Sequence, residues 1–147
     1  MNFITKDDKL LNLIASIGKL KNDKVPILIT GETGTGKEVL ANIIFSQSHR
    51  TKNPFIKVGL ATISESLFES ELFGHERGAF TDAHNRRKGL LESADGGTVF
   101  LDDIDDCPVQ IQAKLLRAIE VGEVRSVGSD KTQIVDFRAL AATKVDF

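Results

Sequence analysis

The chain has 147 residues, enough for one domain with a substantial core and too few for two. Hydrophobic residues make up 41% of the sequence and charged residues 27%, which is typical of a globular protein and excludes a disordered one. The net charge of −2 excludes the strongly basic surface of a general nucleic-acid binder, and the single Cys107 excludes an intrachain disulfide.

The first third of the chain predicts two helices and two strands. Asp7 is placed to cap a helix whose apolar residues recur at helical spacing. An apolar run then predicts a buried strand over 25–30, followed by a glycine-rich turn and a helix over 37–45. Pro54 breaks the chain before a second strand over 55–58.

The middle third predicts short helices around a polar segment. A helix is expected over 65–73 and another helical piece over 88–94. Between them, residues 74–87 are polar and punctuated by glycine, which predicts a projecting loop. Thr98 begins a third buried strand over 98–101.

The last third completes an alternation of strands and helices. Pro108 occupies the preferred first position of a helix that Gly122 ends. Apolar and polar residues alternate over 123–135, which predicts a small hairpin. A fourth buried strand is expected over 137–142. Strands alternating with helices predict a mostly parallel sheet that is covered on both faces.

A glycine-rich loop directly follows the first predicted strand and opens a helix. Its spacing, G-x-x-x-x-G-K, is that of the phosphate-binding loop of nucleoside triphosphatases. Glycines let the backbone approach an anion closely, and the positive end of the helix attracts it. The predicted nucleotide-binding residues are Gly31, Glu32, Thr33, Gly34, Thr35, Gly36, Lys37 and Glu38.

Two carboxylates end the third predicted strand. At the carboxyl edge of a parallel sheet they would lie where ligands bind. Asp102 is then a candidate ligand of Mg²⁺, and Asp103 is a candidate general base that polarises an attacking water. The alternative is that an Asp-Asp pair merely opens a loop, together with Asp105 and Asp106.

Several segments together resemble one known family, the central AAA+ domain of bacterial enhancer-binding proteins. These proteins are ATP-driven activators of the sigma-54 RNA polymerase. The resemblance covers nearly the whole chain in order, and its most specific segment is 71–81. The segments that carry it are G-E-T-G-T-G-K-E over 31–38, E-S-E-L-F-G-H-E-R-G-A-F-T over 69–81, A-D-G-G-T over 94–98, Q-A-K-L-L-R over 112–117, and residues 137–143.

This resemblance implies the fold, the ligands and the partner. The fold is an α/β P-loop NTPase (AAA+) three-layer sandwich, with residues 1–147 as the amino-terminal α/β part of one domain. The family's helical lid, arginine fingers and fifth strand would lie beyond Phe147. The implied ligands are ATP or ADP with Mg²⁺. The implied partners are the sigma-54 RNA polymerase and, by self-association or ring assembly, complete subunits of a bacterial protein. No direct DNA binding within this chain and no membrane partner are expected. From the residues themselves, the single Cys107 favours a reducing cytoplasm and no stretch is suited to span a bilayer.

The family's sigma-54 contact is made by a loop with an aromatic residue and a threonine at its tip. Phe80 and Thr81 match these two residues. An exposed aromatic side chain on a glycine-containing loop is suited to an interface. The predicted partner-binding residues are Gly78, Ala79, Phe80, Thr81, Asp82 and Ala83. We expect this loop to be mobile and exposed to solvent.

Four residues depart from the family pattern. Asp82 replaces the glycine after the threonine, and Asp103 replaces the glutamate at the acidic strand end. Gly59 stands where the family has a hydrogen-bonding asparagine, and Lys144 replaces a polar residue after the fourth strand. Binding needs mainly the loop, Lys37 and one metal-holding carboxylate, whereas hydrolysis needs a closely positioned water. The sequence therefore favours nucleotide binding over turnover.

Three functions follow from these patterns. The leading interpretation is an ATP-binding sigma-54 interaction module of a transcriptional regulator. The second is a non-hydrolysing module that binds nucleotide or a partner without remodelling it. The third is an unrelated phosphate-loop enzyme such as a small-molecule kinase, since the loop motif occurs in many such enzymes.

Overall fold

A computed structural model describes residues 5–20 and 23–145, so the ends of the predicted 1–147 domain lie outside the described residues. The central sheet of the described residues has four parallel strands, which are β1 (Ile27–Thr30), β2 (Phe55–Gly59), β3 (Thr98–Asp102) and β6 (Arg138–Thr143). They lie in the order β1-β6-β3-β2. A separate antiparallel pair joins β4 (Glu123–Val124) to β5 (Gln133–Ile134). The predicted parallel sheet and the small hairpin are confirmed.

The described residues form five α-helices, one before β1 and four between strands. They are α1 (Asp8–Gly18), α2 (Lys37–Ser46), α3 (Phe68–Phe73), α4 (Leu90–Ser93) and α5 (Val109–Val121). The Asp7 carboxylate caps α1 by accepting the N–H of Lys9 at 2.9 Å and of Leu10 at 3.4 Å, as predicted. Gly122 ends α5 with a φ of 75°, in the left-handed region that favours glycine. No helix in the described part of the chain is long and apolar enough to cross a membrane.

Each face of the sheet carries its own hydrophobic core. On one face, Phe100 and Leu140 pack with Ile44 of α2. On the other face, Val99 and Leu101 pack with residues of α3 and α5. Alternating residues of a strand point to opposite faces, so a sheet buried on both faces needs continuous apolar strands. These layers confirm the three-layer α/β sandwich.

Two predicted helices are shorter than their sequence patterns indicate. Over 65–73, a separate 3-10 turn (Glu65–Leu67) precedes α3, and over 88–94 only Leu90–Ser93 is helical. The second difference has a steric cause. Gly89 is extended, and a Cβ there would lie 2.5 Å from backbone atoms of residues 72–74. Gly89 must therefore stay outside the helix to let two chain segments cross.

A buried ion-pair cluster joins the amino-terminal ends of the strands. The Arg50 side chain, 6% exposed, donates to Asp23 at 2.9 Å and to the Asp136 carboxylate at 3.0 Å. It also donates to the carbonyl of Gly97 at 3.1 Å. The hydrogen bond from Arg50 holds the pKa of Asp23 below its usual value. Burial alone would raise the pKa of the Asp136 carboxyl. The hydrogen bonds and charges of Arg50 and Lys24 outweigh burial, so the pKa is lowered.

Candidate functional site

The glycine-rich loop turns the chain from the end of β1 into α2. Gly34 and Gly36 have φ angles of 82° and 88°, which only glycine adopts without strain. Thr35 closes the turn, since its hydroxyl donates to the carbonyl of Glu32 at 2.7 Å. The first N–H groups of α2 have no intrahelical partner and lie at the positive end of the helix dipole. The loop has the backbone geometry that a phosphate requires.

Lys37 is the cation of this loop. Its ammonium group donates to the carbonyl oxygens of Gly31 at 2.6 Å and of Glu32 at 2.8 Å. The next residue, Glu38, pairs with Lys57 on β2 at 3.1 Å. Lys37 therefore lies over the loop, while the Glu38 side chain reaches across the edge of the sheet.

The acidic end of β3 lies beside the loop, as the sequence predicts. A cavity of about 340 Å³ is formed by both halves together. Its lining residues are Thr33, Gly34, Gly36, Lys37, Glu38, Asp102 and Asp103. The cavity combines glycine backbone and a lysine with carboxylates, which is the donor set that a nucleotide phosphate and its hard divalent cation need.

Asp103 has an unusual backbone and an unusual environment. It is the one non-glycine residue in the described ranges with a positive φ, 54°. Its N–H donates to the Asp102 carboxylate at 3.0 Å. Burial raises the pKa of the Asp103 carboxyl, and the charges of Asp102, Asp106 and Asp105 add to the effect while Lys144 opposes it. Proton affinity is thus higher at Asp103 than at an isolated aspartate.

Gly59 lies next to Asp102 in the sheet register. A Cβ at Gly59 would be 3.5 Å from the hydroxyl of Thr62, an ordinary contact. The φ of Gly59 is −86°, which any residue adopts. The backbone and its surroundings thus accept a Cβ at this position, where the resembled family has asparagine.

The predicted partner-contact loop, residues 78–83, projects from a fixed base. Phe80 is 40% exposed and its ring lies edge-on against His75, so the prediction that Phe80 lies outside the main core is confirmed. Ala83, by contrast, is 3% exposed, and the prediction of a fully exposed loop is wrong there. The loop folds back on itself, since the carbonyl of Ala83 accepts the N–H of Gly78 at 2.8 Å, and this turns the Ala83 methyl inward.

Two polar features that shape these sites were not predicted from the sequence. Arg50 binds three chain segments at the end of the sheet opposite the cavity. His75 is 8% exposed and lies 2.6 Å from the Ser70 hydroxyl. Ser70 and His75 are five residues apart, a spacing that fits no regular element. No local sequence pattern therefore predicts their contact.

The all-parallel sheet and its strand–glycine loop–helix define an α/β P-loop domain of the AAA+ type. The chain belongs to the Sigma-54 interaction domain family, which it matches over residues 3–147. It is 49% identical over 137 residues to the Nif-specific regulatory protein of Rhodobacter capsulatus, covering 93% of this chain and 24% of that protein. It is 45% identical over 145 residues to the regulatory protein AtoC of Escherichia coli, covering 99% of this chain and 32% of that protein.

Solved structures show the same fold in a relative. NtrX from Brucella abortus matches with a TM-score of 0.84 and 34% identity, covering 99% of this chain and 31% of that one. NtrX in complex with ATP matches with a TM-score of 0.80 and 33% identity, covering 99% of this chain and 33% of that one. The chain thus spans about a third or less of the length of these proteins.

Proposed function

We propose that this chain is an adenine-nucleotide-binding module that contacts the sigma-54 RNA polymerase and controls transcription. Residues 31–38 hold the phosphates, with Lys37 as the cation. Asp102 holds Mg²⁺, which neutralises phosphate charge when bound. Residues 78–83 contact sigma-54. The observation that carries the nucleotide part is the cavity that joins the loop to Asp102 and Asp103.

Independent findings support both halves of this proposal. The relative NtrX has been solved in complex with ADP and with ATP, at TM-scores of 0.81 and 0.80. The family itself is described by its interaction with sigma-54. Phe80, 40% exposed, supplies the apolar side chain that a protein interface uses as an anchor. A ring with complete subunits would place several such loops together.

Nucleotide affinity tests the first half. Lys37→Ala removes the charged donor of the loop, and a hydrogen bond from a charged group is worth about 1.5–3 kcal/mol. We therefore expect a Kd for ATP or ADP that is about 10- to 100-fold weaker. Isothermal titration calorimetry in Mg²⁺ measures it, with Lys131→Ala, an exposed lysine outside the cavity, as the matched control. If the folded parent chain shows no nucleotide affinity, the proposed nucleotide binding is refuted.

A non-hydrolysing module is the second candidate, and two observations favour it. Asp103 carries a shorter side chain than the family's glutamate, and burial together with neighbouring carboxylates raises its pKa. Gly59 lacks the side chain that would face Asp102 across the strand pair. Both changes act on the positioning of water and leave the phosphate loop intact. Binding without efficient turnover is the chemistry that this arrangement favours.

Sigma-54 binding tests the second half. Asp82 is exposed and its φ is not positive, so no left-handed strain is relieved by glycine there. Asp82→Gly instead removes a carboxylate that an interface would have to desolvate, at a cost of about 1–3 kcal/mol. We expect the variant to bind purified sigma-54 roughly 10-fold more tightly in a fluorescence titration with a transition-state nucleotide analogue.

Asp82→Asn separates charge from backbone freedom in that titration, because it keeps the shape and removes the charge. We expect Asp82→Asn to gain affinity as well. If the parent chain binds more tightly than both variants, the Asp82 carboxylate contributes to binding a basic partner, and our expectation is wrong. If none of the three binds, the sigma-54 contact is refuted.

A further inference from the structure

His75 lies at the base of the partner-contact loop and joins it to two other segments. Its N–H donates to the carbonyl of Arg87 at 3.0 Å, and its carbonyl accepts the N–H of Arg87 at 2.9 Å. On the other side, Glu76 donates to the carbonyl of Val127 at 2.9 Å, and Val127 donates to Gly74 at the same distance. The backbone on either side of His75 is therefore fixed between the end of the loop and the β4–β5 hairpin.

The His75 side chain is fixed as well. Its Nδ1 lies 2.6 Å from the hydroxyl of Ser70 on α3, and both residues are buried, at 8% and 6% exposed. A buried polar pair costs desolvation that an apolar side chain of similar size would avoid. In return, the hydrogen bond is directional and sets the plane of the imidazole ring.

The other contact of this ring is Phe80. The two ring centroids are 4.9 Å apart and the planes make an angle of 69°, an edge-to-face arrangement that aromatic pairs prefer. Within the described residues no other aromatic ring contacts Phe80. Backbone hydrogen bonds fix the turn of the loop; for example, the Ala83 N–H donates to the Phe80 carbonyl at 3.0 Å. These backbone bonds do not restrain the orientation of the Phe80 ring.

We propose that His75 is the positioning residue of the partner-contact loop. Ser70 fixes the imidazole, and the imidazole holds the Phe80 ring in the orientation presented to the partner. This inference rests on the proposed sigma-54 contact for its biological meaning, but the holding of Phe80 is a property of the chain alone. The two parts can be tested separately.

Charged side chains near His75 are paired with one another. Arg87 pairs with Glu71 at 2.8 Å, and Arg86 pairs with Glu76 at 3.4 Å. The exposed His84 is the other histidine near the loop tip.

A fluorescent reporter can replace Phe80 itself. The chain contains no tryptophan and no tyrosine, so Phe80→Trp places the only strong fluorophore at the loop tip. We expect the indole of this reporter to be partly shielded from acrylamide, because the ring at residue 80 packs against His75.

Three further substitutions in the reporter chain decide whether His75 is responsible. His75→Asn keeps a polar partner for Ser70 but removes the ring that contacts residue 80. Loss of an aromatic contact should shift the reporter about 2- to 10-fold towards the freely exposed state, measured by acrylamide quenching. Ser70→Ala should loosen the reporter to a smaller extent. His84→Gln should leave the shielding of the reporter unchanged. Circular dichroism checks that each variant is folded.

If folded His75→Asn keeps the shielding of the reporter from acrylamide, the inference is wrong. A second arm uses the natural Phe80 and purified sigma-54. Weaker binding by His75→Asn than by the parent supports the inference, and equal binding overturns its link to the partner. If the reporter responds as expected but neither chain binds sigma-54, the positioning stands and the proposed partner fails.

Discussion

Arg50→Met is expected to lower the free energy of unfolding by about 3 kcal/mol, at the low end of the cost of breaking a buried ion pair. The substitution leaves Asp23 and Asp136 without their shared cation and the Gly97 carbonyl without its donor. The two carboxylates are 27% and 48% exposed, so water compensates them in part. Urea unfolding at neutral pH measures the loss, which corresponds to a Tm lower by roughly 6–12 °C.

The pH dependence of this loss identifies its electrostatic part. The folded-state pKa values of Asp23 and Asp136 are lowered, so their contribution to stability is present above the unfolded pKa, which is about 3.9 for an aspartate. It is lost as pH falls through the lower folded values. The difference between parent and variant should therefore shrink below about pH 4.

Arg117→Met is the matched control for Arg50→Met. The Arg117 Nε donates to Glu123 at 2.9 Å, but the arginine side chain is 65% exposed. A surface pair of this kind is worth about 0–1 kcal/mol. If the two methionine variants unfold at the same urea concentration, the cluster at Arg50 contributes no more than an exposed pair, and our account of it is wrong.

Local chemistry explains which parts of the fold could be predicted from the sequence. The Asp7 cap, the glycine-rich turn and the Gly122 helix end each depend on residues adjacent in the chain. The strands were predictable because a sheet covered on both faces requires uninterrupted apolar residues. The pairing order β1-β6-β3-β2 depends on long crossovers, and no local pattern in the sequence predicts it.

The features that sequence analysis missed depend on contacts between distant segments. Arg50 reaches Asp136, which is 86 residues away in the chain, and no spacing pattern links them. Gly89 stays outside α4 because it crosses Gly74, another contact that a local helical pattern does not contain. In the candidate site, the loop and Asp102 were predictable from motif and position, whereas the left-handed backbone of Asp103 was not.

Asp103→Glu is expected to raise ATP turnover about 10- to 100-fold, since a small misplacement of a catalytic group costs about this much. The parent chain should turn over far more slowly than about 1 s⁻¹, the lower end of common enzyme rates. Asp103 already lines the cavity, and the longer side chain of glutamate extends the carboxylate by one methylene. A steady-state phosphate-release assay measures the change.

Adding Gly59→Asn to Asp103→Glu should raise the rate further, because residue 59 is the register neighbour of Asp102 and a Cβ there makes only ordinary contacts with Thr62. The triple variant with Lys37→Ala should lose the gain, which excludes a contaminating ATPase. Glutamate fits the φ of 54° at residue 103 less well than aspartate, so a modest loss of stability should accompany the faster rate. A parent chain that already hydrolyses ATP at about 1 s⁻¹, or an Asp103→Glu variant no faster than the parent, would show that the shorter carboxylate does not limit turnover.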